Sequence, residues 1–182
     1  MTDFLSLQAQ LKDVSQADQL PPVDKWDPPF CGNMPLIIKS NGQWWHAGTP
    51  FTRAKLVQLF ASVLKKEGDD YFLVTPVEKI GITVEDVPFI VVDSDDAQRG
   101  IEVTTQVGER FVLNDEHSVE LRDFKHQKVP YVHVRNGLWA RVHQNVLYRW
   151  VEGATESNSP SLTRLNLRSG NVSFCIGELP NE

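Results

Sequence analysis

The sequence of 182 residues is poor in cysteine and has no long apolar run. Its two cysteines, Cys31 and Cys175, are too few for a disulfide framework, so we expect free thiols and a reducing, cytoplasmic setting, with a single disulfide left open. No stretch approaches the roughly 20 apolar residues of a membrane-spanning helix. The N-terminal residues lack the basic and apolar regions of a signal peptide. These absences predict a cytoplasmic protein with no membrane partner.

Basic residues are also scarce. Lys and Arg number 18 against 24 Asp and Glu, which gives a net charge of −6. Binding to the phosphate backbone of a nucleic acid depends on a basic footprint, and a polybasic contact with a membrane needs the same excess. We therefore expect no DNA or RNA partner. The sequence favours no particular protein partner.

Motifs for metals and common cofactors are absent as well. The histidines and cysteines show neither His-x-x-x-His nor Cys-x-x-Cys spacing, and no Gly-x-x-x-x-Gly-Lys-Ser/Thr phosphate loop or Gly-x-Ser-x-Gly elbow occurs. The acidic run Asp93–Asp96 lacks the glycine and distal glutamate of a calcium loop, so it predicts a polar turn. We expect no cofactor and no metal site.

The chain does contain a clear order of helices and strands in its first half. An amphipathic helix is predicted over residues 2–14, followed by a proline-stiffened arm over residues 26–32. Asn41-Gly42 between two β-prone runs predicts a hairpin. A second helix is expected from Thr49 as the cap and Pro50 as its first residue to Lys65 and Lys66 in its last turn, with Gly68 as its C-cap.

The second half predicts mostly strands, with one helix over 145–152 and a mobile loop over 153–161. Together the patterns predict an α+β fold. The expected strands are 71–75, 80–85, 89–92, 101–107, 110–113, 119–122, 131–135, 138–142, 162–167 and 172–176.

An internal repeat accompanies this order. Residues 35–44 align without gaps with residues 130–139, at an offset of 95, and share Pro, Asn, Gly and Trp. A helix and further strands follow each copy, which favours a duplicated core of two antiparallel-sheet-plus-helix units. A chance match between two common Asn-Gly hairpins is the alternative. We predict an N-terminal helix over 1–20, a first unit over 21–95 and a second, mostly β unit over 96–182.

A candidate ligand site follows from charges that lie among apolar strand residues. A buried charge must be paired or must bind a charged group. Arg53 and Lys79, near a helix N-terminus, would suit a phosphate or carboxylate in a cleft between the units, and a tryptophan there would offer a stacking surface. An ion-pair lattice without a ligand is the alternative. The predicted ligand-binding residues are Trp44, Arg53, Glu78, Lys79, Glu85, Asp86 and Arg135.

Several motifs resemble an uncharacterised bacterial group, domain-of-unknown-function family 1285. The resemblance spans roughly residues 21–179, and it departs after Arg141, where Val-His-Gln-Asn replaces a short basic run. The motifs are Val23-Asp-Lys-Trp-Asp-Pro-Pro-Phe-Cys-Gly32, Gly48-Thr-Pro50, Tyr71-Phe-Leu-Val-Thr-Pro-Val-Glu-Lys79, Val84-Glu-Asp86 and Tyr131-x-His-Val-Arg-x-Gly-Leu-x-Ala-Arg141.

The resemblance implies a duplicated core whose second half is superficially similar to a pleckstrin-homology fold. It also implies a site for a nucleotide-like ligand at the interface of the halves, with a role in signalling. The residues leave three functions open: a ligand-binding regulatory module, an enzyme with Glu78 or Glu85 as acid or base, and a protein-interaction scaffold on the C-terminal sheet.

Overall fold

The computed structural model describes the backbone of residues 4–14 and 19–181, and the side chains of 4–11 and 19–181. The chain divides into two compact units, the first ending at Pro88 and the second beginning at Phe89. It is mostly β, with three α-helices among the described residues. The α+β prediction therefore gave helices too large a share, while the expectation of two units with a duplicated arrangement is confirmed.

The first unit contains one six-stranded sheet, in the order β3-β2-β1-β6-β5-β4. Strands β1 and β6 run parallel, and all other neighbours are antiparallel. Its elements are α1 (Phe4–Val14), a 3₁₀ turn (Val23–Lys25), β1 (Phe30–Ile38), β2 (Trp44–His46), β3 (Thr49–Pro50), α2 (Ala54–Ala61), β4 (Leu64–Glu67), β5 (Asp70–Val74) and β6 (Lys79–Val84).

The second unit contains a six-stranded sheet, in the order β10-β11-β12-β7-β8-β9, and a three-stranded sheet, β13-β14-β15. Here β7 and β12 form the parallel pair. Its elements are β7 (Phe89–Ala97), β8 (Gly100–Thr105), β9 (Arg110–Val112), β10 (Val119–Phe124), β11 (Gln127–Arg135), β12 (Leu138–Val142), α3 (Gln144–Glu152), β13 (Thr155–Asn158), β14 (Leu162–Ser169) and β15 (Val172–Pro180).

The two six-stranded sheets share one topology. If the strands of each are numbered from one to six along the chain, both read 3-2-1-6-5-4, with the first strand parallel to the sixth. The predicted alignment of residues 35–44 with 130–139 is therefore out of register. The Asn41-Gly42 hairpin joins the first and second strands of its sheet, whereas the Asn136-Gly137 hairpin joins the fifth and sixth. The helices α2 and α3 consequently occupy different places in the two units.

The second predicted helix is shorter than expected at both ends. Thr49 and Pro50 pair with β2, so the helix starts at Ala54, and Lys65 and Lys66 lie in β4. Gly68, expected as a helix cap, has φ +59 and opens the two-residue loop between β4 and β5. A glycine first in such a loop is typical of a type II′ hairpin, so a turn signal was read as a cap.

Three further expectations differ from the structure. The segment Asp93–Asp96 is the exposed end of strand β7, which pairs with β8. Part of the predicted loop 153–161 forms strand β13, which pairs with β14. The predicted boundary between residues 95 and 96 falls inside β7, whereas the units meet between Pro88 and Phe89.

Helix α1 packs into the first unit instead of forming a separate segment. The side chains of Leu7 and Leu11 are fully buried. The ring of Phe4 lies 5.5 Å from that of Phe51 and 5.3 Å from that of Phe60. Burial of such side chains contributes about 1.5–3 kcal/mol each, so α1 is part of this core. Val14, predicted to share the apolar face, lies outside the described side chains.

Ser169 ties the three-stranded sheet to the six-stranded sheet of the second unit. Its buried hydroxyl donates to the carbonyl of Leu113 at 2.7 Å and accepts from the amide of Ile101 at 2.8 Å. The hydroxyl thus sits beside the amide-to-carbonyl bond that joins Leu113 to Ile101 at 2.9 Å. It satisfies two backbone groups at a buried position.

We predict that Ser169→Ala lowers the free energy of unfolding by about 1–3 kcal/mol, because the substitution leaves both backbone groups unpaired. Urea denaturation followed by circular dichroism measures the change. Ser161→Ala, at an exposed position whose hydroxyl makes no hydrogen bond to the described residues, should stay within about 0.5 kcal/mol of the parent. Equal effects of the two substitutions would contradict this account of Ser169.

Candidate functional site

Glu78 lies in a tight turn to which helix α1 is hydrogen-bonded. The hydroxyl of Thr75 accepts from the amides of Val77 and Glu78, at 3.3 and 3.0 Å, and donates to the side-chain oxygen of Gln10 at 3.0 Å. The Gln10 amide nitrogen donates to the Glu78 carboxylate at 2.9 Å. The predicted ligand residue Glu78 thus holds a helix against a turn.

Lys79 lies in a pair of cations that share one carboxylate. Its ammonium is 2.9 Å from Glu67, and Lys65 is 3.4 Å from the other oxygen of the same carboxylate. The hydrogen bond from Lys79 is the main cause of a lowered pKa for Glu67. The Lys79 ammonium also lies 4.9 Å from the ring centre of Phe72. Its charge is therefore engaged within the first unit.

A small groove of about 290 Å³ lies beside Lys79 on strands β1, β5 and β6. Phe30, more than half exposed, and Phe72 meet edge to face across it, at 6.0 Å. The side chain of Asn33 lies over Gly81, where an added Cβ would stand 2.1 Å from the amide oxygen. The groove has one cation, already paired, and includes Asp70, so its charge does not favour an anion.

The side chain of Glu85 contacts the hairpin between β1 and β2. Its carboxylate accepts from the amide of Ser40 at 2.8 Å and lies 3.4 Å from Lys39. The bond from the Ser40 amide, and then the interaction with Lys39, hold the pKa of Glu85 below its usual value. Glu85 therefore stays ionised at neutral pH in a structural role.

Three other predicted residues of the first unit lie in separate environments. Arg53 is exposed, precedes α2 as its N-cap residue, and its side chain forms no bond with the described residues. Trp44 is only 3 % exposed, so it offers no stacking surface, and its indole nitrogen has no hydrogen-bond partner in the described part of the chain. Asp86 is half-buried in the connection after β6.

Arg135 is committed to an ion pair within the second unit. Its guanidinium binds both carboxylate oxygens of Glu109, and the two side chains are mostly buried, at 15 % and 23 % exposure. It also lies 5.3 Å from the ring centre of Phe89. Both bonds come from Nη1, and a mostly buried, charge-assisted pair of this kind fixes the strand end that bears Arg135, so the residue is not positioned as a free anion receptor.

A cavity with a basic lining lies in the second unit and was not predicted. It measures about 650 Å³ and none of the described residues that line it is acidic. It lies where the β10–β11 hairpin meets the end of β12 and the start of α3. Its lining residues are Phe124, Lys125, Gln127, Val129, Arg141, Val142, His143, Gln144, Leu147 and Tyr148.

Cations and one aromatic ring form the centre of this pocket. The Arg141 guanidinium lies 3.9 Å from the ring centre of Phe124, and the Lys125 ammonium lies 5.3 Å from it. The exposed Lys125 makes no ion pair with the described residues. Because a contact with an aromatic face does not neutralise a cation, Lys125 contributes a positive charge at the rim of the pocket.

Helix α3 forms the opposite wall of the pocket. Val146 and Trp150 bury its inner face, and the Trp150 indole donates to the Ser94 hydroxyl at 2.9 Å. His143 caps the helix, since its Nδ1 accepts from the amide of Asn145 at 3.1 Å. Gln144 donates to the hydroxyl of Tyr148. The wall therefore presents polar atoms and an exposed tyrosine ring.

A two-residue turn with left-handed backbone places Lys125 at the pocket. Lys125 and His126 form the two-residue loop between Phe124 and Gln127, and both have left-handed backbones, with φ of 48 and 67. Type I′ loops normally carry Asn-Gly because side chains disfavour this region. The sequence Lys-His gave no hairpin signal, which is why sequence reasoning placed only a loop here. The basic and aromatic residues that flank this loop are the sequence feature that could have indicated the pocket.

Among the described residues no group of three or more His, Cys, Asp or Glu side chains is arranged to hold a metal ion. In the same part of the chain, every helix is too short or too polar to cross a membrane.

The fold and the motifs define a two-unit β protein, and comparisons assign it to a family. Residues 21–87 match the N-terminal domain, and residues 88–176 the C-terminal domain, of the family described as domain of unknown function (DUF1285). The chain belongs to this DUF1285 family, which confirms the resemblance noted in the sequence.

Two solved structures are similar to the chain. A DUF1285 family protein from Silicibacter pomeroyi DSS-3 is 34 % identical, covers 93 % of each chain and has a TM-score of 0.81. A DUF1285 family protein from Shewanella baltica OS155 is 32 % identical, covers 65 % of this chain and 91 % of its own, and has a TM-score of 0.54. No curated protein sequence matches the chain.

The support that Glu85 gives to the hairpin predicts a pH effect. Because the folded-state pKa of Glu85 is lowered, its contribution is present above its unfolded value, near 4.5, and disappears as pH falls through the lower folded value. Glu85→Gln should therefore be less stable than the parent at pH 7, with the difference shrinking towards pH 3. Denaturant unfolding at both pH values measures this.

Glu156→Gln, at an exposed site on β13 where the carboxylate makes no bond to the described residues, is the matched control. It should not reproduce the pH-dependent difference. A difference for Glu85→Gln that grows as pH falls would contradict the role assigned to Glu85.

Proposed function

We propose that the protein is a ligand-binding regulatory module, and that its second unit binds a small nucleotide-like anion in the pocket beside α3. The single observation that carries this proposal is the cavity of about 650 Å³ lined by Lys125, Arg141 and His143, with no acidic residue among its described lining. Pockets of 300–1,000 Å³ with an apolar wall and a few convergent polar groups are typical small-molecule sites.

The chemistry of the lining favours phosphate as the anionic group. The Arg141 guanidinium is a planar fork that fits phosphate oxygens, and Lys125 adds a mobile point charge at the rim. His143 presents the rest of its ring at the start of α3, where the helix dipole also favours negative charge. A phosphate there would meet donors on three sides.

Aromatic and apolar groups favour a ligand with a flat ring. The exposed ring of Tyr148 and the side chains of Leu147 and Val129 line the same pocket as the cations. Aromatic rings such as that of Tyr148 stack on nucleobases with little dependence on which base is present. A phosphate attached to a planar group, as in a nucleotide, would use both halves of the lining.

The strained Lys125-His126 turn supports a functional use of the pocket. Left-handed backbone at a residue with a side chain costs on the order of 1 kcal/mol or more, and such strain tends to persist where a site requires it. An Asn-Gly loop would form the same hairpin at lower cost. The chain instead has a lysine at this position, and this lysine lines the basic pocket.

The pleckstrin-homology likeness and the signalling role remain parts of this proposal. They rest on the resemblance, with a β-rich second unit whose helix follows the last strand of its main sheet as support. A cytoplasmic location is likewise proposed, from the scarcity of cysteine.

The two other functions have weaker support. An enzyme that uses Glu78 or Glu85 as acid or base would need a carboxyl with a raised pKa in a closed site, but the pKa of Glu85 is lowered and neither residue lines the pocket. A scaffold on the C-terminal sheet would need an apolar patch, whereas Leu179 is the one exposed large apolar side chain on β13–β15 within residues 19–181.

Binding experiments test the proposal directly. We expect nucleoside monophosphates, screened at millimolar concentration as AMP, GMP, CMP and UMP, to raise the melting temperature, with affinity then measured by calorimetry. Arg141→Gln should weaken binding about tenfold or more, because a charge-assisted hydrogen bond contributes about 1.5–3 kcal/mol. Arg164→Gln, at an exposed site on β14, is the control and should bind like the parent. Absence of binding by all four nucleotides in folded protein would refute the proposal.

A second variant separates binding from folding. Replacing Lys125-His126 by Asn-Gly relieves the left-handed strain and removes one cation, so it should stabilise the protein by about 1 kcal/mol and weaken nucleotide binding severalfold. Urea denaturation and calorimetry give the two values. A variant that is more stable and binds as tightly as the parent would show that Lys125 has no part in the site.

A further inference from the structure

We propose that Asn136 is a self-modification site, at which the imidazole of His133 promotes the loss of ammonia from Asn136 and the closure of a succinimide ring with Gly137. Water then opens the ring to aspartate or isoaspartate. The inference is independent of the proposed function, because the turn over Asn136-Gly137 precedes β12, whereas the basic pocket lies where β12 ends.

An asparagine followed by glycine is the dipeptide in which this ring closes most readily. The backbone nitrogen of the second residue attacks Cγ of the asparagine, and glycine has no side chain to obstruct the attack. The chain contains two such pairs, Asn41-Gly42 and Asn136-Gly137. The space beside Gly137 is open, since an added Cβ would meet no atom within 4 Å.

His133 provides a base for the second pair. The backbone amide of Gly137 donates to Nε2 of His133 at 3.1 Å. A ring nitrogen that accepts a hydrogen bond carries no proton, so the neutral imidazole has its hydrogen on Nδ1, which donates to the carbonyl of Glu116 at 2.8 Å. A base within reach of the proton that it removes, and oriented by a third group, is the arrangement of general-base catalysis.

The first pair has no comparable base. The amide of Gly42 donates to the carbonyl of Lys39 at 2.9 Å, and a carbonyl does not take up a proton at neutral pH. The side-chain oxygen of Asn41 also accepts from the amide of Gln43 at 3.0 Å. By contrast, the side chain of Asn136 is exposed and makes no hydrogen bond with the described residues, so its Cγ can turn towards Gly137.

The reaction needs only the two residues of the turn, the imidazole and water. The amide proton of Gly137 passes to Nε2 of His133 as the Gly137 nitrogen bonds to Cγ of Asn136. The bond from Cγ to Nδ2 then breaks, and the imidazole returns the proton to the leaving nitrogen, so ammonia departs and His133 is regenerated. Water adds to either carbonyl of the ring and leaves a new carboxylate in the turn.

The rate at Asn136 should depend on pH as an imidazole titrates. Only a neutral imidazole takes up the proton, so the rate rises through the range near neutral pH and then levels off. His117 is a second imidazole near His133, but its Nδ1 donates to the His133 carbonyl at 3.1 Å, and a protonated ring keeps that bond. The other charged groups on neighbouring elements are Glu116 before β10, Arg122 on β10 and Arg135 on β11.

Peptide mapping by mass spectrometry, on protein incubated from about pH 6 to about pH 9, tests the assignment at both pairs. We expect Asn136 to convert severalfold faster than Asn41 at neutral pH and to level off, while the rate at Asn41 keeps rising with hydroxide. His133→Gln should slow Asn136 severalfold and leave Asn41 unchanged. His126→Gln, an exposed histidine at the other end of β11, is the control and should convert like the parent.

Melting temperatures close to the parent value show that the variants are folded. Equal rates at the two pairs in the parent protein, or a rate at Asn136 that survives His133→Gln, would overturn the role of His133. If His133→Gln does not fold, the pH profile of the parent protein decides, because parallel profiles at Asn136 and Asn41 would overturn the inference equally.

Discussion

The parallel pairing of the first and last strands holds each six-stranded sheet together. Each sheet consists of two antiparallel three-stranded pieces that adjoin only through this pair, β1 with β6 and β7 with β12. In the second unit the pair aligns Val91 with Val142, so β12 ends where α3 begins and both are fixed against β7. The basic pocket depends on that geometry, because its residues come from the β10–β11 hairpin, the end of β12 and the start of α3.

Internal pairing separates the charges that build the fold from those left for a ligand. Lys79, Glu85 and Arg135 each have an opposite charge within their own unit, and these pairs fix a strand, a hairpin and a strand end. Lys125 has no such partner among the described residues, and the ring of Phe124 lies beside its ammonium group. A net acidic chain therefore contains a local basic face, which the overall charge of −6 conceals.

Local signals in the sequence predicted much of the fold. Asn-Gly turns, alternating apolar residues and the pattern around Val146 and Trp150 gave the hairpins, most strands and α3, because each signal acts over a few residues. The strand order was not predictable in this way, since parallel pairing joins segments distant in the chain. The pocket beside α3 was not predicted for a related reason. Phe124, Lys125 and Arg141 meet only through sheet register, whereas the conspicuous charges near Lys79 are paired within the fold.

The central claim is that a phosphate-bearing ligand occupies the pocket beside α3, and mapping of backbone amide shifts by ¹⁵N NMR during titration with a nucleotide tests it most directly. The account predicts that the largest shifts fall in residues 124–129 and 141–148, with little change at Lys79 or Glu85. Shifts concentrated in the first unit, or spread evenly over the chain, would contradict it.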